Sequence, residues 1–185
     1  DVASMANSST KVFILEVMGR HAGWLAASAG VIKNGDNAPP HIILLPEVIF
    51  NQKKFLIKVK STVKKYGYCV IVASEGIKGS KNNFIAASDS KDSFGHAHLG
   101  GVAPKLADMI TSKLKHKVHW AVSDYLQRAA RHIASDIDVK QAYAIGYKSL
   151  SFAKSQINGV MLTINKKNAS TYQWSIGTTK LSDVA

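Results

Sequence analysis

Three short runs of apolar, mostly branched residues, at positions 11–17, 41–45 and 69–74, are each separated from the next by a segment long enough for a helix. Runs with so little polar alternation suit strands covered on both faces, and strands spaced by helices pair in parallel. Between the first two, residues 20–34 are alanine-rich and predict a packed helix, with Gly35 placed to end it. Residues 51–66 predict an amphipathic crossover helix closed by Gly67. Further on, 102–114 reads as a helix and 117–122 as a short strand. Another helix starts from Asp138, with Val139, Ala142, Gly146, Leu150 and Ala153 at helical spacing. Residues 159–164 and 171–176 are candidate strands on either side of the turn Lys166-Lys167-Asn168. The order predicts an α/β fold, a three-layer Rossmann-like parallel sheet with helices on both faces.

The chain has 185 residues, 46% of them hydrophobic, enough to bury an ordinary core, and its length favours one domain. A formal charge of +12 invites anionic partners, be they nucleic acid, membrane or phosphorylated metabolites. Six of those cations, Lys53, Lys54, Lys58, Lys60, Lys64 and Lys65, share the predicted helix at 51–66 with apolar Phe55, Val59 and Val63, which reads as a solvated face. They are not interleaved with exposed aromatics, so neither nucleic acid nor membrane is an expected partner. No apolar run approaches the ~20 residues that cross a bilayer and no signal peptide opens the chain, so the expected location is the cytoplasm. The single cysteine, Cys69, lies inside an apolar run and reads as a small buried hydrophobe.

In open α/β sheets ligands gather outside the carboxyl ends of strands. There the first run is followed by Met18-Gly19-Arg20, where a glycine lets backbone approach a ligand and a guanidinium offers a forked, permanent charge. The third run is followed by Glu75-Gly76, and a carboxylate accepts several hydroxyl hydrogen bonds without donating any. In Tyr125-Leu126-Gln127-Arg128 a phenol and a guanidinium could grip one phosphate; by spacing alone, a core tyrosine and a surface arginine fit better.

The string Glu16-Val17-Met18-Gly19-Arg20-His21-Ala22-Gly23-Trp24 resembles the substrate motif of the phosphofructokinase family. It is joined, in order, by Pro46-Glu47, Ser74-Glu75-Gly76, Phe94-Gly95-His96 with Leu99-Gly100-Gly101, and Tyr125-Leu126-Gln127-Arg128. Over residues 1 to about 164 the set is similar to the pyrophosphate-dependent branch, with Trp24 and Tyr125 leaning that way. The resemblance implies a glycolytic phosphotransferase that phosphorylates the 1-hydroxyl of fructose 6-phosphate from pyrophosphate. It implies that Met18, Gly19 and Arg20 contact the sugar phosphate, that Glu75 takes its hydroxyls, and that Tyr125 and Arg128 hold the 6-phosphate. Mg²⁺ is expected with the donor, its ligands outside this chain, and a homo-oligomer, dimer or tetramer, is the expected assembly.

Two positions depart from the family pattern. Lys11 and His119 stand where arginines often reach a substrate phosphate across a subunit interface; Lys11 keeps charge without the fork, and Lys117 is placed to compensate for a neutral His119. The family's Gly-Gly-Asp donor loop and its Thr-x-Asp-Asn-Asp catalytic segment have no counterpart in residues 1–185, and Asp89 and Asp92 sit in a polar stretch that reads as an exposed loop. The catalytic base is therefore expected upstream. Residues 1–185 are read as the sugar-phosphate-binding part of a two-domain fold, with a non-catalytic sugar-phosphate module or an ATP-dependent kinase as alternatives.

Overall fold

The computed structural model describes residues 2–31, 35, 37–80, 82–91 and 97–184, with backbone alone for 87–91 and 97–98. It divides into two compact units, Asp1–Gln127 and Arg128–Ala185.

The first unit opens with the short helix α1 (Val2–Met5) and is built on a parallel sheet of β1 (Val12–Val17), β2 (Ile42–Leu44), β3 (Cys69–Ser74) and β6 (Val118–Val122), in the order β2-β3-β1-β6. β1 lies between β3 and β6, with Val12 opposite both Cys69 and Val118. That central place explains its unbroken apolar sequence. Val12 and Ile14 of β1 and Cys69, Ile71 and Ala73 of β3 pack on one face against α3 (Gln52–Tyr66) and α4 (Val102–Leu114), through Phe55, Val59, Leu106 and Ile110. On the other face Val17 and Val72 meet Ala26 of α2 (Trp24–Ser28). Helices thus cover both faces, and burying each Val, Ile, Leu or Phe side chain contributes on the order of 1.5–3 kcal/mol.

The ends of α3 follow from local chemistry. Asn51 Oδ1 accepts the Lys54 N–H at 2.9 Å, and Gly67 closes the helix at φ 84°, a left-handed conformation that costs glycine nothing. The predicted helix at 20–34 is much shorter in the structure. Residues 20–23 form a loop because the Gly23 N–H is taken at 2.7 Å by Glu47 Oε1, and α2 ends at Ser28; positions 32–34 lie outside the described residues. Asp89, expected in a loop, lies on β4 (Ala87–Lys91), which pairs antiparallel with β5 (Ala97–Leu99); Asp92 and the Phe94-Gly95-His96 motif lie outside the described residues.

Helix α5 (Leu126–Ala129) straddles the division of units. In the second unit α6 (Asp136–Lys154) accompanies a hairpin of β7 (Val160–Lys166) and β8 (Trp174–Lys180). Gln141 Nε2 donates to the Tyr172 hydroxyl at 2.8 Å, turning that side of α6 inward and leaving Tyr143, Tyr147 and Leu150 exposed. The last strand begins three residues later than predicted, because residues 167–173 form the connection and the Lys167 N–H donates to the Gln173 carbonyl. Among the described residues no helix is long and apolar enough to cross a membrane.

Burial pushes the Cys69 thiol from 9.0 up to about 12, against a smaller opposing pull from Lys58. A raised folded-state value stabilises the fold below pH 9.0 and loses that contribution as pH climbs toward 12. Native protein at pH 8 is therefore expected to resist a thiol-labelling reagent and to react stoichiometrically once unfolded in guanidinium; rapid labelling of the native chain would show Cys69 to be accessible.

Candidate functional site

The carboxyl ends of β1, β3 and β6 and the loop before α4 enclose a cavity of about 160 Å³, lined by Glu16, Val17, Met18, Glu75, Leu99, Gly100, Gly101, Val122 and Asp124. A larger cavity of about 290 Å³ runs along β2, between Ile42, Leu44, Val48, Phe55 and Ile77. Its lining is apolar apart from Asn51, Lys54 and Lys58, so it lacks the convergent polar groups that orient a small polar ligand. The smaller cavity has them.

Its walls are tied together by backbone. The Glu75 N–H donates to the Val17 carbonyl and the Ser123 N–H to the Glu16 carbonyl, both at 2.9 Å, so the turns leaving β3 and β6 are pinned to the end of β1. Gly19 adopts φ 144°, and a Cβ there would press on the Ala22 carbonyl oxygen at 2.7 Å. Its N–H donates to Glu75 Oε1 at 3.1 Å and its carbonyl accepts from Ser74 Oγ, which also accepts the Gly76 N–H at 3.3 Å. With Gly23 held by Glu47, the loop carrying Arg20 is clamped at both ends.

Glu16 is only 1% exposed although it is an acid. Its Oε1 accepts the Gly101 N–H at 3.0 Å and its Oε2 the Ala103 N–H at 2.8 Å. Gly101, at φ 83°, is the N-cap of α4 and has no side chain with which to cap it. Glu16 supplies that cap from across the fold, satisfying two of the helix's orphan donors and placing negative charge at the positive end of its dipole.

Of the residues singled out in the sequence, Met18 and Glu75 line the cavity; Gly19 is bonded to Glu75, and Arg20 follows on the same loop, half-buried. Tyr125, 67% exposed, follows cavity-lining Asp124 in the turn after β6, and Arg128 opens the second unit. Lys11 and Lys117 meet at the opposite edge of the sheet, where the Lys11 N–H donates to the Lys117 carbonyl and Lys11 Nζ to that of Ala6. Six residues of β1 separate them from Met18, roughly 20 Å at strand rise. His119 is exposed on edge strand β6, opposite Phe13. Sequence reasoning passed over Glu16, Glu47 and Asp124 as site residues. An acid inside a buried strand and a helix opening on Gly-Gly with no capping side chain were the available signals for Glu16. Asp124, held at φ 41°, left no comparable trace. Among the described residues no group of three or more His, Cys, Asp or Glu is arranged to hold a metal ion.

A parallel sheet whose carboxyl edge carries a clamped Gly-Arg loop facing a carboxylate defines a class of α/β proteins that take small polar ligands at that edge. The family model described as Phosphofructokinase matches residues 1–153, and the chain belongs to the phosphofructokinase family. It is 50% identical over 185 residues to pyrophosphate–fructose 6-phosphate 1-phosphotransferases of Halomonas elongata and of Methylococcus capsulatus, covering all of this chain and 44% of each relative. The crystal structure of a pyrophosphate-dependent phosphofructokinase from Marinobacter aquaeolei superposes with a TM-score of 0.81 at 50% identity, over all of this chain and 43% of that one. The chain thus spans less than half the length of these relatives.

The close crossing of the two strand-end loops gives a direct test. A Cβ on Gly76 would overlap the carbonyl oxygens of Gly19 and Arg20, both backbone atoms that cannot swing aside. Gly76→Ala is therefore expected to destabilise the fold by about 1–3 kcal/mol in denaturant titration. Gly35→Ala, where φ 85° strains the residue in open space, should cost less, and equal losses would contradict the crowding at Gly76.

Proposed function

We propose that this chain is the acceptor-side part of a pyrophosphate-dependent 6-phosphofructokinase, which converts fructose 6-phosphate and pyrophosphate reversibly to fructose 1,6-bisphosphate and phosphate. The observation carrying this reading is the clamped loop of Gly19 and Arg20, bonded to Glu75 beside a small polar cavity, in a chain half identical to two enzymes named for that reaction. In this reading Arg20 presents a fixed charge to the incoming anion and Glu75, with acceptor sites left beyond its bond to Gly19, takes sugar hydroxyls. Tyr125 and Arg128 hold the 6-phosphate, a group that does not react and whose binding positions the one that does.

Phosphoryl transfer also needs an aligned donor and a base for the attacking hydroxyl. Neither the Gly-Gly-Asp nor the Thr-x-Asp-Asn-Asp pattern occurs in residues 1–185, so in this reading residues 1–185 supply the acceptor side alone. Among the described residues no cluster is fitted to the Mg²⁺ that the family implies. A homo-oligomer fits the position of Lys11, Lys117 and His119. With Lys11 and Lys117 a strand's length from their own pocket, these groups would meet a substrate phosphate only in another copy.

Residues 1–185 incubated with fructose 6-phosphate, Mg²⁺ and either pyrophosphate or ATP are expected to form no fructose 1,6-bisphosphate above background, whereas protein extended upstream through the donor segment turns over with pyrophosphate. Turnover by residues 1–185 alone would place a donor site inside them. In the extended protein Arg128→Ala should weaken fructose 6-phosphate binding by about 1.5–3 kcal/mol, the usual worth of a hydrogen bond to a charged group. Unchanged affinity would remove Arg128 from the phosphate grip.

A further inference from the structure

We infer that Glu16 is a positioning residue for the acceptor sugar, holding the Gly100-Gly101 wall of the cavity at the distance the ligand requires. The inference rests on the reading of this cavity as the fructose 6-phosphate site. Residues 16 and 17 touch every wall, but by different means. The main-chain carbonyls of Glu16 and Val17 hold the turns at Ser123 and Glu75, while the Glu16 carboxylate alone reaches Gly101 and Ala103. The charge of one side chain therefore fixes one wall, and main-chain bonds fix the other two.

Between Leu99, paired with Ala87, and core residue Val102, that wall consists of two glycines. Gly100 and Gly101 stand at φ 127° and φ 83°, where glycine has the widest conformational freedom, and neither has a side chain to pack. Gly101 is the N-cap of α4 without a capping group of its own. A carboxylate suits the task because it is acceptor-only, so both oxygens face N–H groups with no donor set against donor. An amide of the same shape has one oxygen, and its NH₂ would confront a backbone N–H. With Glu16 only 1% exposed, that mismatch is costly, since little water reaches the side chain to relieve it.

The test is Glu16→Gln in the full-length protein containing this chain, with Ile14→Val as control. Ile14 lies on the same face of β1 and packs into the core of α3 and α4, so its shortening destabilises the fold without altering the partners of Gly101. Glu16→Gln should raise the KM for fructose 6-phosphate about tenfold, the equivalent of one charge-assisted bond, and leave the KM for pyrophosphate within twofold. Amide exchange at Gly101 and Ala103 should quicken while that at Glu75 and Ser123 stays as in the wild type. Ile14→Val should leave both KM values unchanged and should not quicken exchange at Gly101 and Ala103 more than at Glu75 and Ser123. If Glu16→Gln does not fold, Glu16→Asp, which keeps the charge and shortens the reach, carries the same comparison. A KM for fructose 6-phosphate unchanged in the Glu16 variant, or equally raised in Ile14→Val, overturns the inference. A wild-type protein that does not act on fructose 6-phosphate overturns instead the reading on which it rests.

Discussion

A carboxylate buried at the end of the central strand must find hydrogen-bond donors or it destabilises the fold by several kcal/mol. Glu16 finds two, and both belong to the amino terminus of α4. The sheet's carboxyl edge and the start of that helix are thereby locked in register, and a cavity bounded by both acquires a definite shape. α4 in turn contributes Val102, Ala103, Leu106, Ala107 and Ile110 to the main core, so the same interaction that shapes the pocket seats the helix supporting it.

The motif repeats around the site. Glu16 serves Gly101, Glu75 serves Gly19 and Glu47 serves Gly23, in each case a side-chain carboxylate accepting a glycine N–H. Glycine allows each loop its conformation and the carboxylate removes the freedom that glycine brings. The loops are consequently set before any ligand arrives, which reduces the ordering cost of binding. Acids line the cavity itself, which suits the hydroxyls of a sugar.

The sheet was legible because burial on both faces writes itself as continuous apolar runs. β3 was predicted residue for residue and β1 within one, and α3 showed its closing glycine. Failures came where a distant group overrides local propensity. Ala26 and Ala29 favour the longer helix predicted from residue 20, yet Glu47 captures Gly23 and delays its start. The register of β8 is set by pairing with β7, from Val160 opposite Lys180 to Lys166 opposite Trp174, which no local pattern in residues 171–180 announces. At the site, the place of Glu75 and of the Gly19-Arg20 loop after strands was legible, and the fold brings the two into hydrogen-bond contact. The partnership of Glu16 with Gly101, 85 residues apart, is visible only once the chain is folded.

The central claim is that fructose 6-phosphate sits at the carboxyl edge of this sheet, between the Gly19-Arg20 loop and the Gly100-Gly101 wall. Titrating the sugar phosphate into isotopically labelled protein, while following backbone amide resonances, tests it most directly. The account predicts saturable shifts at Gly19, Glu75, Gly100 and Gly101 with one apparent affinity, and no comparable shifts on adding the same concentration of glucose. Shifts confined to the lysine face of α3, with the four strand-end amides unmoved, would contradict it.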